Sequence, residues 1–173
     1  VQDQLIDWYD ISAVEYNILM TLYAWPNIIF SMCCGILIDK IGVRRMIIIS
    51  WIIALIGLSI IVYSCPIRDY FILCIGRIIV GIGNEGLSMT MKLYAIEFFT
   101  SKEYGAVFGI QLAFISFGGG LNMFISYRMY KWFNNNLIFS LLTPLFIAPI
   151  VCIPLFSLMF LEKTSILSKM VGI

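Results

Sequence analysis

Two long apolar runs decide what this chain can fold into. Residues Tyr16 to Ile38 and Met46 to Ile67 carry no formal charge, and each is long enough to cross a bilayer as a helix of about 20 residues. Between them lies a short charged turn, Gly35 to Arg45, which must sit at the membrane surface. The rest of the chain agrees: 61% of its residues are hydrophobic and 12% charged, whereas soluble domains have about half and about a quarter. The expected fold class is all-α, a polytopic membrane protein.

Charge and composition exclude several functions. Net charge is +1 with no basic block, so nucleic acid is not a partner. Histidine is absent, and the five cysteines (Cys33, Cys34, Cys65, Cys74, Cys152) show no C-x-x-C spacing, which leaves no basis for a metal site, a disulfide framework or a cofactor. Only Cys65 is placed to reach an aqueous loop. No HExxH, GxSxG or P-loop pattern occurs, so an enzyme is not expected.

Five spans are expected, at about 12–39, 44–64, 70–99, 102–127 and 135–161. Residues 1–11 read as a non-cytoplasmic exposed loop or short interfacial helix, 12–161 as a partial helix bundle, and 162–173 as a cytoplasmic tail or the start of a central loop. Ser12 to Glu15 and Thr100 to Glu103 match capping boxes, so both should open helices. Trp25-Pro26 should kink the first span, and Ser64-Cys65-Pro66 should end the second. Arg68-Asp69 marks the opposite membrane face, and Arg128 and Lys131 fall in the loop after the fourth span. That span has a glycine series, Gly105, Gly109, Gly118, Gly119 and Gly120, which predicts close helix packing. Pro144, Pro149 and Pro154 should kink the fifth.

Lys40, Arg44, Arg45, Lys102, Lys163 and Lys169 lie on the side of the charged turn, against Arg68, Arg128 and Lys131 on the other. The excess places the turn in the cytoplasm.

Only the third span carries charge in its interior: Arg77, Glu85 and Lys92. Buried intramembrane charges face a cavity or a partner helix. At 3.6 residues per turn Glu85 and Lys92 lie about 20° apart around the axis, and Arg77 about 80° from Glu85. Arg77 and Lys92 are displaced from Glu85 by about 12 and 10 Å along the axis, too far for a tight pair on one helix. Glu85 is thus free to meet a substrate amine or to titrate, unless a cation arrives from another helix.

The turn fills the pattern G-x-L-x-D-[RK]-x-G-x-R-[RK] with Gly35, Leu37, Asp39, Lys40, Gly42, Arg44 and Arg45. Gly42 can take the positive φ that ends the turn, and Gly35 leaves room for a neighbouring helix. Asp39 falls at a helix C-terminus, where a carboxylate needs Arg44, Arg45 or another helix's N-terminus to answer it. This pattern resembles the signature loop of the major facilitator superfamily, and Arg77 to Gly83 resembles its fourth-helix motif R-x-x-x-G-x-G. The resemblance implies helices two to six of an amino-terminal six-helix half, with the first helix and the carboxy-terminal half missing; the chain, beginning with Val, is then a fragment. It assigns Gly35, Asp39, Lys40, Gly42, Arg44 and Arg45 to gating. The superfamily's antiporter signature contains Gly-Pro, which is absent between Pro66 and Pro144, and this weighs against a drug/proton antiporter.

The stretches LYAWPNIIFSMCCGILID and GRIIVGIGNEGLSMTMKLYAIEFF are similar to a dipeptide-carrying lysosomal branch of the superfamily, which works with a single-pass glycoprotein companion. The resemblance implies a lysosomal or other endomembrane location, a small-molecule substrate and such an accessory subunit. It also places Glu85 at the substrate, and Ser116 where the branch has a fifth-helix arginine; with the charges Arg77 and Lys92 and with Asn122 these are the expected substrate-binding residues. The absence of any N-x-[ST] sequon fits a core shielded by a glycosylated companion. Three functions remain open: a uniporter or proton-coupled carrier of small zwitterions with Glu85 as its central acid; a carrier of a sugar or organic anion, with Glu85 in a structural ion pair; and a non-transporting truncated membrane partner.

Overall fold

The computed structural model describes residues 2–100, 102–133, 138 and 140–147. Among the described residues, five helices with defined ends follow one another: α1 (Gln2–Tyr9), α2 (Ala13–Ile41), α3 (Val43–Ile67), α4 (Tyr70–Phe98) and α5 (Tyr104–Trp132). The last four are long and apolar enough to cross a membrane. Among the described residues there is no strand, so the all-α polytopic expectation holds. Of the span expected at 135–161, residues 138 and 140–147 are helical. The remainder of that span, with Cys152, Pro149, Pro154 and the tail at 162–173, lies outside the described residues.

Local chemistry sets the helix ends. The Glu15 amide donates to Ser12 Oγ at 3.2 Å and the Ser12 amide donates to the Glu15 carboxylate at 2.7 Å, a complete capping box that opens α2. Gly42 closes it at φ +90°, donating its N–H to the Ile38 carbonyl, and also stands as the cap of α3. A single residue therefore joins two membrane-crossing helices, in a conformation that glycine adopts without strain. α2 runs unbroken through Pro26.

Three boundaries differ from the sequence expectation in ways that local chemistry explains. α3 continues through Pro66 to Ile67 and stops at Arg68, in the left-handed region at φ 57°; proline's fixed φ fits a helix, and within its last turn only one backbone bond is lost. The Asp69 carboxylate then caps α4, accepting from the amides of Phe71 (2.8 Å) and Ile72 (3.4 Å). Second, α5 begins at Tyr104 and not at the Thr100 box. The Glu103 carboxylate does accept from the Thr100 amide and hydroxyl, at 3.0 and 2.7 Å, but no side chain caps the first turn of α5. The exposed Glu103 carboxyl is held below its ordinary pKa by those two bonds.

α5 also runs past its expected end at 127. Arg128 and Lys131 lie in its last turns, over the rings of Phe124 (5.3 Å) and Tyr127 (4.9 Å), each four residues earlier. Cation–ring contacts at that spacing support the last turns of the helix.

The tightest pair is α3 with α4. Ser50, Ala54, Gly57 and Ile61 recur at three- and four-residue spacing on α3 and meet Gly76, Val80, Gly83 and Gly86 on α4. A Cβ added at Gly83 would come within 2.6 Å of the Ala54 backbone nitrogen, and one at Gly57 within 2.7 Å of the Val80 nitrogen. Small residues let the two backbones touch, the packing that holds helices together where lipid removes the hydrophobic driving force. Gly81 makes the same allowance towards α2, where an added Cβ would meet the Tyr23 carbonyl oxygen at 2.5 Å. The two glycines of R-x-x-x-G-x-G thus admit two different neighbours.

α5 stands apart. It touches α4 in few places, and an added Cβ at Gly105, Gly109, Gly118, Gly119 or Gly120 would find no atom within 4 Å. The close packing expected from this series has no partner among the described residues. Gly35 is open in the same way.

α1 is the short helix of the two readings given for residues 1–11, and it is docked. Leu5 and Tyr9 are buried in the main core, while Asp7 and Asp10 are exposed. Trp8 Nε1 donates to the Cys65 carbonyl at 3.1 Å, and Arg68 lies 4.8 Å from the Trp8 ring centroid. Tyr9 and Ser64 share a hydrogen bond of 2.8 Å; since the Ser64 hydroxyl already donates to the Ile61 carbonyl, Tyr9 is the donor. Burial pushes the Tyr9 phenol up to about 12. Cys65 is completely buried beneath this cap, which corrects its expected aqueous exposure. Cys33 is the exposed thiol among those described.

Candidate functional site: the seam between α2 and α4

Tyr16, Tyr23, Asn27, Phe30, Cys34 and Ile38 recur on α2 at spacings of seven, four, three, four and four. At about 100° per residue they form one stripe, and that stripe faces α4. It is polar towards the α3–α4 turn and apolar towards the signature turn, where Cys34 and Ile38 pack with Met46 and Met89.

The polar half is where α4 places its charge. Asn84 Nδ2 donates to the Tyr23 hydroxyl at 3.2 Å, a polar tie between the two helices. Asn27 lies against Gly81, its Oδ1 buried without a partner. Arg77, one turn before Gly81, is half-buried, and its Nε is sealed from solvent without an acceptor. The phenols of Tyr16, Tyr23 and Tyr9 act on its guanidinium through space. Glu85 is half-buried two turns further on, close enough to α2 to act through space on the Cys34 thiol. A buried polar group left unpaired costs about 1–3 kcal/mol, and orphaned atoms are rare enough that two along one seam, on Asn27 and Arg77, mark it.

The other expected site residues are dispersed. Lys92 is exposed near the far end of α4, and Ser116 is exposed on α5. Asn122, also on α5, is half-buried with its Oδ1 unpartnered. The structure thus sets Arg77 and Glu85 on the α2–α4 seam and does not bring Lys92, Ser116 or Asn122 to it. Among the described residues no cluster of His, Cys, Asp and Glu could hold a metal.

In the signature turn, Asp39 and Lys40 are exposed in the last turn of α2, Gly42 makes the link, Arg45 is exposed, and Arg44 is half-buried and engaged. Asp39 sits one turn before the start of α3, whose N-terminal amides carry partial positive charge.

Sequence reasoning missed Tyr16, Tyr23, Asn27 and Asn84. Their signal was available: Tyr16, Tyr23 and Asn27 fall within about 20° of one line on a helix, and two tyrosines and an asparagine on one line in an apolar span call for polar partners.

The model of the Major Facilitator Superfamily matches residues 4–166. Among curated proteins, the chain is 30% identical over 124 residues to the lysosomal dipeptide transporter MFSD1 of Danio rerio, covering 71% of this chain and 27% of the relative. The Mus musculus and Homo sapiens proteins of the same name are 31% and 30% identical over the same shares. The chain therefore spans about a quarter of the length of the curated relatives it matches. No solved structure matches it significantly. The family match along nearly the whole chain, on a bundle whose signature turn and fourth-helix glycines have the geometry just described, establishes that this chain belongs to the major facilitator superfamily.

Proposed function

We propose that this chain is the greater part of the amino-terminal half of a carrier that moves a dipeptide or related small zwitterion across a membrane by alternating access. The observation that carries the reading is Glu85, a half-buried carboxylate inside a membrane-crossing helix. Such a carboxylate must be neutralised by a proton, by a cation on a neighbouring helix or by a positively charged ligand group. A substrate ammonium supplies that charge. Similarity to lysosomal dipeptide transporters supports the same substrate class and a lysosomal membrane.

In this reading a first helix and a carboxy-terminal half close the site from the other side, with Asn122 and Ser116 of α5 and Lys92 at its margin. Residues 12–161 belong to the bundle, 1–11 to the non-cytoplasmic side and 162–173 to the cytoplasmic tail or the start of a central loop. Gly35, Asp39, Lys40, Gly42, Arg44 and Arg45 form a cytoplasmic hinge that braces against the second half in one conformation. A single-pass glycoprotein companion fits the same reading.

The test is Glu85→Gln in the complete carrier, reconstituted in proteoliposomes. Uptake of a labelled dipeptide falls to background while expression and thermal stability stay near wild type. Wild-type uptake at every pH would reduce Glu85 to a packing residue and remove the zwitterion reading.

A further inference from the structure

Asn84 is the central residue of α4, fourteen residues from Tyr70 and fourteen from Phe98, and it is exposed. An amide at mid-membrane is costly to leave in lipid, where nothing answers its hydrogen-bonding groups, so an exposed one faces a polar space. The rest of α4 agrees. Around the axis, Ser88 and Lys92 fall between Asn84 and Glu85, so that four polar residues share an arc of about 100°. Gly83 and Gly86, which meet α3, each lie about 100° outside that arc. The polar arc is therefore the side of α4 turned away from its tightest partner.

The amide of Asn84 is also oriented. Its Nδ2 donates to the Tyr23 hydroxyl of α2 at 3.2 Å, which uses one of its two N–H groups and leaves Oδ1 and the second for another group. A neutral acceptor and a neutral donor in one plane suit a neutral amide. The ammonium and carboxylate ends of a zwitterion are better answered by opposite charge. A solute that seats its ammonium on Glu85 carries its peptide nitrogen one residue further along, about 3.3–3.6 Å in extended chain. Asn84, adjacent to Glu85 in the chain and at the other edge of the same arc, is the neutral group placed to meet it.

We propose that Asn84, held by Tyr23, is a specificity-determining residue whose Oδ1 accepts from the substrate's peptide N–H, so that the carrier selects amide-linked over ester-linked solutes of the same charge. The proposal rests on the reading of a dipeptide carrier with Glu85 as the ammonium receptor, and its test separates the two. In the complete carrier, uptake of labelled alanylalanine is competed by unlabelled alanylalanine and by alanyl-lactate, in which an ester oxygen replaces the peptide nitrogen while both charged ends are kept. In wild type the ester competes about three- to tenfold more weakly, the worth of one neutral hydrogen bond; equal competition overturns the assignment. In Asn84→Ala the two compete within about twofold of each other, since the acceptor of the N–H is gone. An ester penalty that survives intact in that variant reduces Asn84 to a tie between α4 and α2 and overturns the assignment equally. Should Asn84→Ala fail to fold, Asn84→Ser decides: its hydroxyl sits on a shorter stem, out of reach of the N–H, so the ester penalty shrinks to about twofold or less, and an undiminished penalty rejects the proposal. Failure of the Glu85 reading has a different signature, N-acetyl-alanylalanine competing as well as alanylalanine in wild type, whatever the ester does. A wild-type carrier that takes up no alanylalanine removes both.

Discussion

The α3–α4 pair and α5 are both rich in glycine, and they use it in opposite ways. Gly57, Gly76, Gly83 and Gly86 are filled by the opposing helix, so that a methyl group at any of them would meet atoms of α3 or α4. The five glycines of α5 face open space. Glycine in a membrane helix therefore marks where a backbone can approach, without saying whether the partner lies in the same stretch of chain. For α3 and α4 it does, and the pair is a rigid post on which the polar seam is mounted. For α5 any partner lies beyond the described residues.

The comparison breaks most visibly at Gly83. A side chain there meets the Ala54 backbone nitrogen and Cα, and backbone atoms cannot rotate away as a flexible side chain does. Gly83→Leu should cost about 3 kcal/mol or more, at the upper end of overpacking penalties, and is read as loss of the monodisperse peak in size-exclusion chromatography. A variant with wild-type thermal stability would mean that α3 and α4 are not in backbone contact.

A smaller effect tests how α1 covers one end of that post. Tyr9→Phe removes the bond to Ser64 and should cost about 1 kcal/mol. The effect depends on pH with a defined sign. The Tyr9 phenol lies at about 12 in the folded chain against 10 when unfolded, so its contribution is fully present below pH 10 and is lost as pH rises towards 12. Thermal unfolding of wild type should lose stability across that window more steeply than Tyr9→Phe. Parallel curves would mean the phenol is not buried against Ser64.

The two capping boxes sharpen the contrast further. Ser12 caps α2 on the covered side, and Ser12→Ala should cost about 0.5–1 kcal/mol. Thr100 offers the same residues at the same spacing before α5, yet its bonds end in the turn and cap nothing. Thr100→Ala should cost less than half as much as Ser12→Ala by thermal shift. Equal losses would place the start of α5 at Thr100.

Those two boxes also show what was legible in the sequence. The order of the membrane-crossing helices, the Gly42 link and the Arg68-Asp69 turn follow from local signals, namely charge-free length, a positive φ that favours glycine, and an aspartate one residue before a helix. The docking of α1 does not, because it depends on Trp8 reaching the Cys65 carbonyl across 57 residues of sequence. In the candidate site, Glu85 and Arg77 stood out as charges in apolar surroundings. The seam tyrosines did not, since in a span an aromatic ring reads as apolar until its hydroxyl is seen to have a polar neighbour, as Tyr23 has in Asn84. Lys92 and Ser116 were grouped with the site through helical phase and resemblance, neither of which reports depth along the bundle or the rotation of one helix against another.

The smallest expected effect decides how the open side is to be understood. Gly118→Ala adds a methyl group where no atom lies within 4 Å, so there is nothing for it to strike. Alanine also favours the helix over glycine by up to about 1 kcal/mol. With both terms neutral or favourable, thermal stability should be unchanged or slightly raised if α5 truly faces lipid or a solute pathway at this point. In the complete carrier the same substitution reads out the missing neighbour. A loss of more than about 1 kcal/mol there would mean that another helix closes on Gly118 as α3 closes on Gly83, and the two glycine series would then differ only in where along the chain their partners are found.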